Sequence, residues 1–259
     1  MASTLPLILL PPSEGKALGG TGAPWSMGAM AIDLDDERRR VIAALATAMR
    51  AGEPARAKLL GVTGSTLAAA TTADRRVTRS PTLPAIERYT GVVYDALDHG
   101  SLTATRRTRL DASVVIVSGL WGAVMPADPV PAYRLKMSAA LPKLGKLSSF
   151  WREPLTEALT GLARGRAIWN LLPKEHDAAW TPDREQFVVR FLDQRADGSL
   201  AAVSHDNKAL KGALVRFLLS HPSGRPADLA GWKHPAGYRY SSRASVHADA
   251  TTVVAMVRR

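Results

Sequence analysis

The 259-residue sequence contains no cysteine, which excludes disulfides, thiolate zinc centres, iron–sulfur clusters and thiol redox sensing. It also lacks a long hydrophobic run. The apolar stretch Leu5 to Pro12 is too short and too proline-rich to cross a bilayer, and shows neither the basic start nor the cleavage pattern of a secretory leader. A cytoplasmic protein with no membrane partner is expected. No glycine-rich spacing ends in Lys-Ser or Lys-Thr, so a P-loop nucleotide site is excluded. No His-x-x-x-His or Asp-x-His pattern occurs, and neither a metal nor another cofactor is expected. Glu175-His176-Asp177 sets carboxylate beside imidazole, but adjacent residues point in different directions. His205, His221 and His234 are scattered and read as surface or satisfied core residues. Internal repeats and long linkers are missing too, so residues 1–259 read as a single domain.

Acidic residues are the scarcer charge: 23 Asp and Glu stand against 34 Lys and Arg, for a net charge of +11. Arginine outnumbers lysine by 25 to 9. A chain with a pI near 10.3 surrounds itself with a field that attracts polyanions, and nucleic acid is the first partner to consider. The basic residues also cluster, at Arg38-Arg39-Arg40, at Arg75-Arg76 with Arg79, and at Arg106-Arg107 with Arg109. Each cluster taken alone reads as a solvated helix end or loop.

With 46% apolar residues the chain can bury a full core without covalent staples. Strands are expected at Leu7 to Leu10, Ser113 to Val117, Ala167 to Leu171, Phe187 to Leu192 and Leu200 to Ser204, with Ala-Asp-Gly at 196–198 turning between the last two. The stretch Leu34 to Ala51 has apolar residues at helical spacing and acids at its start, where they suit the helix dipole. Further helices are expected as a pair over 55–71, over Ile86 to Leu97, over Pro154 to Leu162 and over Asn207 to Leu219. Residues 15–28 form a glycine-rich loop, mobile or ligand-shaped. The alternation of strand and helix gives an α/β fold.

Residues Lys58 to Ala70 have the form of a helix-hairpin-helix: Gly61 and Gly64 permit a tight turn, and the N–H groups opening the second helix can hold a phosphate oxygen. Lys58, Arg75 and Arg76 flank it. The plain alternative is an αα-corner. Ser13, Glu14 and Lys16 follow the first strand, where α/β sheets build crevices. Lys16 is either a point charge for phosphate or, if desolvated, an amine nucleophile; the bland reading is a surface lysine beside a glutamate. Lys208, Lys211 and Arg216 share a helix and form a candidate anion clamp. Arg134 offers a planar fork for phosphate or carboxylate, while Tyr133 and Trp121 offer stacking faces. Trp151, next to Phe150 at a helix start, reads as core. Trp121, with glycines close on either side, reads as exposed.

The stretch from Ser118-Gly119-Leu120-Trp121-Gly122 through Pro126 to Tyr133-Arg134-Leu135-Lys136-Met137 resembles a segment of the YaaA family of peroxide-stress proteins. In that family it runs Ser-Gly-Leu-Tyr-Gly, a proline-containing loop, then Tyr-Arg-Leu-Glu-Met. Pro12 to Lys16, Tyr89-Thr90-Gly91 with Tyr94, Phe150-Trp151, Asn170-Leu171 with Glu175, Lys208 to Gly212 with Arg216, and Gly237-Tyr238 extend the likeness along nearly the whole chain. Trp121, Lys136, His176 and the segment Pro12 to Lys16 depart from the usual residues, and Lys136 reverses a charge. The resemblance implies a mixed α+β fold, a central mixed sheet flanked by helices with the helix-hairpin-helix at about 55–71. It also implies a DNA-binding stress protein that limits oxidative damage linked to peroxide and iron. Ser13, Ser118, Tyr133, Arg134 and Asn170 join the candidate anion-binding set through it. An enzyme acting on a nucleotide, nucleobase or damaged DNA stays open beside this reading, with Lys16, Tyr94 and Glu175 as its catalytic candidates and Glu175 as a base for Lys16. A nucleotide-like small molecule is the corresponding partner.

Overall fold

The computed structural model describes residues 5–203 and 207–259; His205 and Ser204, the expected end of one strand, lie outside them. The first strand, β1, is Leu7–Leu10, buried along its full length as a strand covered on both faces must be. Then follow α1 (Asp35–Ala48), α2 (Glu53–Leu60), α3 (Gly64–Arg75), β2 (Thr82–Pro84), α4 (Ala85–Arg88), α5 (Val92–Leu97) and α6 (Ala104–Ser113). Next come β3 (Val114–Ser118), β4 (Gly122–Val124), β5 (Pro129–Pro131), β6 (Ala140–Leu141), β7 (Gly145–Lys146), α7 (Leu147–Phe150), α8 (Arg152–Leu162) and β8 (Ile168–Asn170). The chain continues with α9 (Lys174–Asp177), β9 (Gln186–Gln194), β10 (Leu200–Ala202), α10 (Asn207–Leu218), β11 (Arg239–Tyr240), β12 (Val246–Ala248) and β13 (Thr251–Arg258).

The main sheet runs β11-β13-β9-β8-β1-β3-β4, with β10 on β9 and β12 on β13. Its centre, β13-β9-β8-β1-β3, is parallel, while β4, β10, β11 and β12 attach antiparallel. Leu9 pairs with Val115 on one side and Asn170 on the other. The chain leaves β1 toward β3 and later crosses to β8 on the opposite flank, so the sheet has its switch point at β1, with a crevice beyond the carboxyl ends of these strands. Flanking helices complete a mixed α/β domain around one apolar core.

Three expectations change. The helix over Ile86 to Leu97 divides into α4 and α5 at Tyr89–Gly91, because Gly91 takes φ +103° and the backbone turns to pair Tyr89 with Lys16. The glycine-rich loop is pinned rather than loose: Gly22 bridges Thr82, and buried Arg88 donates to the carbonyls of Ala17, Gly19 and Val130. Gly20 is needed there, since a Cβ would lie 2.7 Å from the Thr82 carbonyl oxygen. Third, Trp121 is fully buried, 5.3 Å from the Trp25 ring. Its neighbouring glycines serve close packing: a Cβ on Gly122 would come 2.7 Å from the Trp151 ring, and one on Gly119 would meet the Lys136–Met137 backbone at 2.9 Å. Trp151 is core as expected, its indole N–H donating to Gly119 O at 2.9 Å.

Candidate functional site

Beyond β1 the chain runs Pro11 to Lys16; beyond β8 it runs Leu171 to His176. Between these segments, Gly91 to Tyr94, Tyr133 to Lys136 and the start of α10 lies a cavity of about 580 Å³, a size that suits a small ligand. Ser13, Lys16, Tyr94, Tyr133, Arg134, Glu175, Lys208 and Lys211 all line it. Lysine or arginine reaches it from three separate segments, against the carboxylates of Glu14 and Glu175.

Glu14 ties two of those cations together. Arg134 Nη2 donates to its Oε2 at 2.7 Å and Lys136 Nζ lies 3.1 Å from its Oε1. Burial works to raise the Glu14 carboxyl, but the hydrogen bond from Lys136 and the charges of Arg134 and Lys136 outweigh it and hold it below its ordinary value. Glu14 and Lys136 therefore meet as an ion pair. Arg134 is fixed further by donating through Nε to Leu60 O, 3.2 Å away, and through its backbone N–H to Asp74 Oδ1 at 2.7 Å. These bonds dock the α2–α3 turn on the cavity wall: a Cβ on Gly61 would sit 3.3 Å from Lys136 Nζ.

Lys16 occupies the floor. Its Nζ donates to Ser13 O at 3.0 Å and lies 4.2 Å from the centre of the Tyr133 ring and 5.5 Å from that of Tyr89. Tyr133 is held by its hydroxyl, 2.8 Å from that of Tyr89 and 2.7 Å from Ser118 Oγ. Burial lowers the Lys16 ammonium to about 8, with the charge of Asp74 opposing that shift. Asp74 itself, 2% exposed, is pushed up to about 7 by burial. Sequence reading missed Asp74, which α3 carries next to two arginines that looked more informative. The carboxylate charges that bear on Lys16 are those of Asp74 and Glu14. They replace Glu175, whose Oε1 instead lies 3.7 Å from His176 Nδ1.

Several candidates act elsewhere. Tyr94 borders the cavity, but its hydroxyl donates to Pro11 O at 2.8 Å and burial drives its pKa well above the usual value, so it ties β1 down rather than moving protons. Ser118 accepts the N–H groups of Leu120 and Trp121. Asn170 bonds Asp177, Gln186 and the Leu172 N–H. Lys211 donates to Leu171 O at 3.0 Å, whereas Lys208 is exposed at the cavity edge. Arg216 leaves the expected clamp: five residues past Lys211 it has rotated about 140° around the helix, and it donates to Leu97 O, Asp98 O and Ser101 Oγ. Arg75 caps Met49 O, while Lys58 and Arg76 are exposed. Burial lowers His176 to about 4, which keeps its ring neutral.

These features define a mixed α/β protein with a basic cavity at the switch point of its sheet. Residues 7–244 match the family described as peroxide stress protein YaaA, and the chain belongs to that family. It is 37% identical to a UPF0246 protein of Streptomyces coelicolor over 92% of this chain and 93% of the relative. A UPF0246 protein of Corynebacterium glutamicum is 35% identical, over 82% and 84% respectively. A more distant relative from Rickettsia bellii is 28% identical over 64% and 68%. No helix among the described residues is long and apolar enough to cross a membrane.

Proposed function

We propose that this peroxide-stress family protein works by binding DNA without sequence preference, limiting damage linked to peroxide and intracellular iron. The cavity takes one sugar-phosphate unit, and the α2–α3 turn lies against the neighbouring backbone. The observation that carries this reading is the gathering of Lys16, Arg134, Lys136, Lys208 and Lys211 around one cavity, with that turn packed behind Arg134 through Leu60 O. Support also comes from the start of α3, where no side chain caps the first N–H groups and nothing lies within 4 Å of a Cβ position on Gly64, leaving room for a phosphate oxygen.

Fluorescence anisotropy with unrelated duplexes and a branched substrate tests it. Comparable affinities are expected, with log K falling linearly against log salt, and Arg134→Gln or Lys208→Gln each reducing that slope by about 1. Absence of binding at low salt, or an affinity indifferent to salt, would refute the reading.

A further inference from the structure

Lys16 is built differently from the other cavity cations. Arg134 and Lys136 hold Glu14; Lys211, like Lys16, donates to a carbonyl, but only Lys16 among these described cavity cations lies over aromatic rings. Lys16 has one side-chain hydrogen bond, to Ser13 O, and no carboxylate of the described residues within ion-pair reach; it rests on the ring of Tyr133, with that of Tyr89 farther off. Tyr133 is itself locked by Tyr89 and Ser118, so the amine rests on a rigid, water-poor surface open to the cavity. Near it is a carboxyl with unused capacity: Asp74 Oδ1 accepts the Arg134 N–H, while its Oδ2 is buried without any partner. Neither arrangement is needed for holding phosphate. Arg134, Lys136 and Lys208 also bring positive charge to the cavity.

We propose that Lys16 is a nucleophile whose amine condenses with the aldehyde of a phosphate-bearing sugar, the ring-opened abasic deoxyribose of oxidatively damaged DNA. This rests on the DNA-binding reading for the source of the sugar. The Nζ lone pair attacks the aldehyde carbon, the new C–N bond forms, and the carbonyl electron pair moves to oxygen, which gains a proton lost by nitrogen. Solvent in the cavity then protonates the resulting hydroxyl, the C–O bond breaks, and water leaves, while the buried Asp74 carboxyl favours the positive charge on nitrogen through its own charge. The remaining N–H proton returns to solvent, so aldehyde and amine yield imine and water with no oxidant or reductant. The amine is poised for this at neutral pH: burial, opposed by Asp74 and Glu14 and aided by Arg134 and Arg88, frees part of the Lys16 amine with a pKa of about 8. Burial likewise keeps part of Asp74 protonated, at about 7. Lys136, Lys208, Lys211 and Glu175 complete the charged groups around the cavity.

The test uses the full chain with three probes in the presence of borohydride, which reduces an imine to a stable amine: a duplex with one abasic site, the same duplex with a tetrahydrofuran analogue, and 2-deoxyribose 5-phosphate. Intact mass and peptide mapping read the adduct. An adduct at Lys16 with the abasic duplex and none with the tetrahydrofuran duplex is expected. Lys16→Arg, which keeps the charge but has no condensable amine, should lose it, its folding checked by thermal melting. Lys208→Gln should bind more weakly yet still be labelled at Lys16. Labelling confined to other lysines, or equal labelling of Lys16→Arg, overturns the proposal. So does no adduct from a protein that binds the tetrahydrofuran duplex, while DNA binding itself stands. An adduct at Lys16 from deoxyribose phosphate alone, without duplex binding, keeps the lysine chemistry and overturns DNA as the carrier.

Discussion

Burial at Asp74 gives the fold a measurable pH dependence. Its carboxyl titrates near 7 in the folded protein against an ordinary value of 3.8, so the native state holds a proton that the unfolded chain releases. Its contribution to stability is therefore greatest below about 4 and declines as pH rises toward 7, by on the order of 1 kcal/mol per pH unit. Asp74→Asn keeps the acceptor for the Arg134 N–H and removes the titration. Urea unfolding at pH 4.5 and pH 7 should show the variant gaining on wild type at the higher pH; an equal difference at both would contradict the assignment. Lys16 was legible in the sequence because a strand end marks it. Asp74 was not, because its importance comes only from α3 docking on the segment around Arg134. Trp121 misled for a related reason: glycines that suggest an open loop are equally those that let backbone and rings approach closely.

Among the elements, α10 sets the cavity edge. Gly212 lets it lie against α5, for a Cβ there would be 2.4 Å from Val93 O and 2.7 Å from Ala96 Cβ. Gly212→Ala should cost about 1–3 kcal/mol through overpacking and lower DNA affinity as Lys208 shifts. Gly161→Ala in α8, where a Cβ would meet nothing, should add about 0.5–1 kcal/mol through lost chain entropy. Thermal melting of both variants checks this, and similar effects of the two would remove the packing argument. The elements with strong periodicity or unbroken apolar runs, α1, β1, β3 and α10, were legible to within a few residues. Others were not: β5, β11 and β13 have partners distant in sequence, β4 lies in a segment that reads locally as glycine-rich loop, and β12 is a three-residue strand too short to show an alternating pattern.

Over the whole molecule, a net charge of +11 overstates what is free to meet a polyanion. Arg38 is buried on Asp35 and the carbonyls of Trp121 and Ala123; Arg75, Arg88, Arg107, Arg109 and Arg166 likewise donate to backbone carbonyls. Much of the arginine content thus ties loops together, and the clusters conspicuous in the sequence are not where the cavity lies. The cavity draws on lysines and one arginine from segments far apart in the chain, which only the topology around β1 unites. Hydrogen exchange of the full protein with and without duplex DNA locates the binding surface directly. Protection is expected at Ser13 to Lys16, at Gly61 to Thr66, at Tyr133 to Lys136 and at Lys208 to Lys211; bound DNA that protects only the arginine clusters at 38–40 and 106–109, leaving those four segments unchanged, would contradict the account.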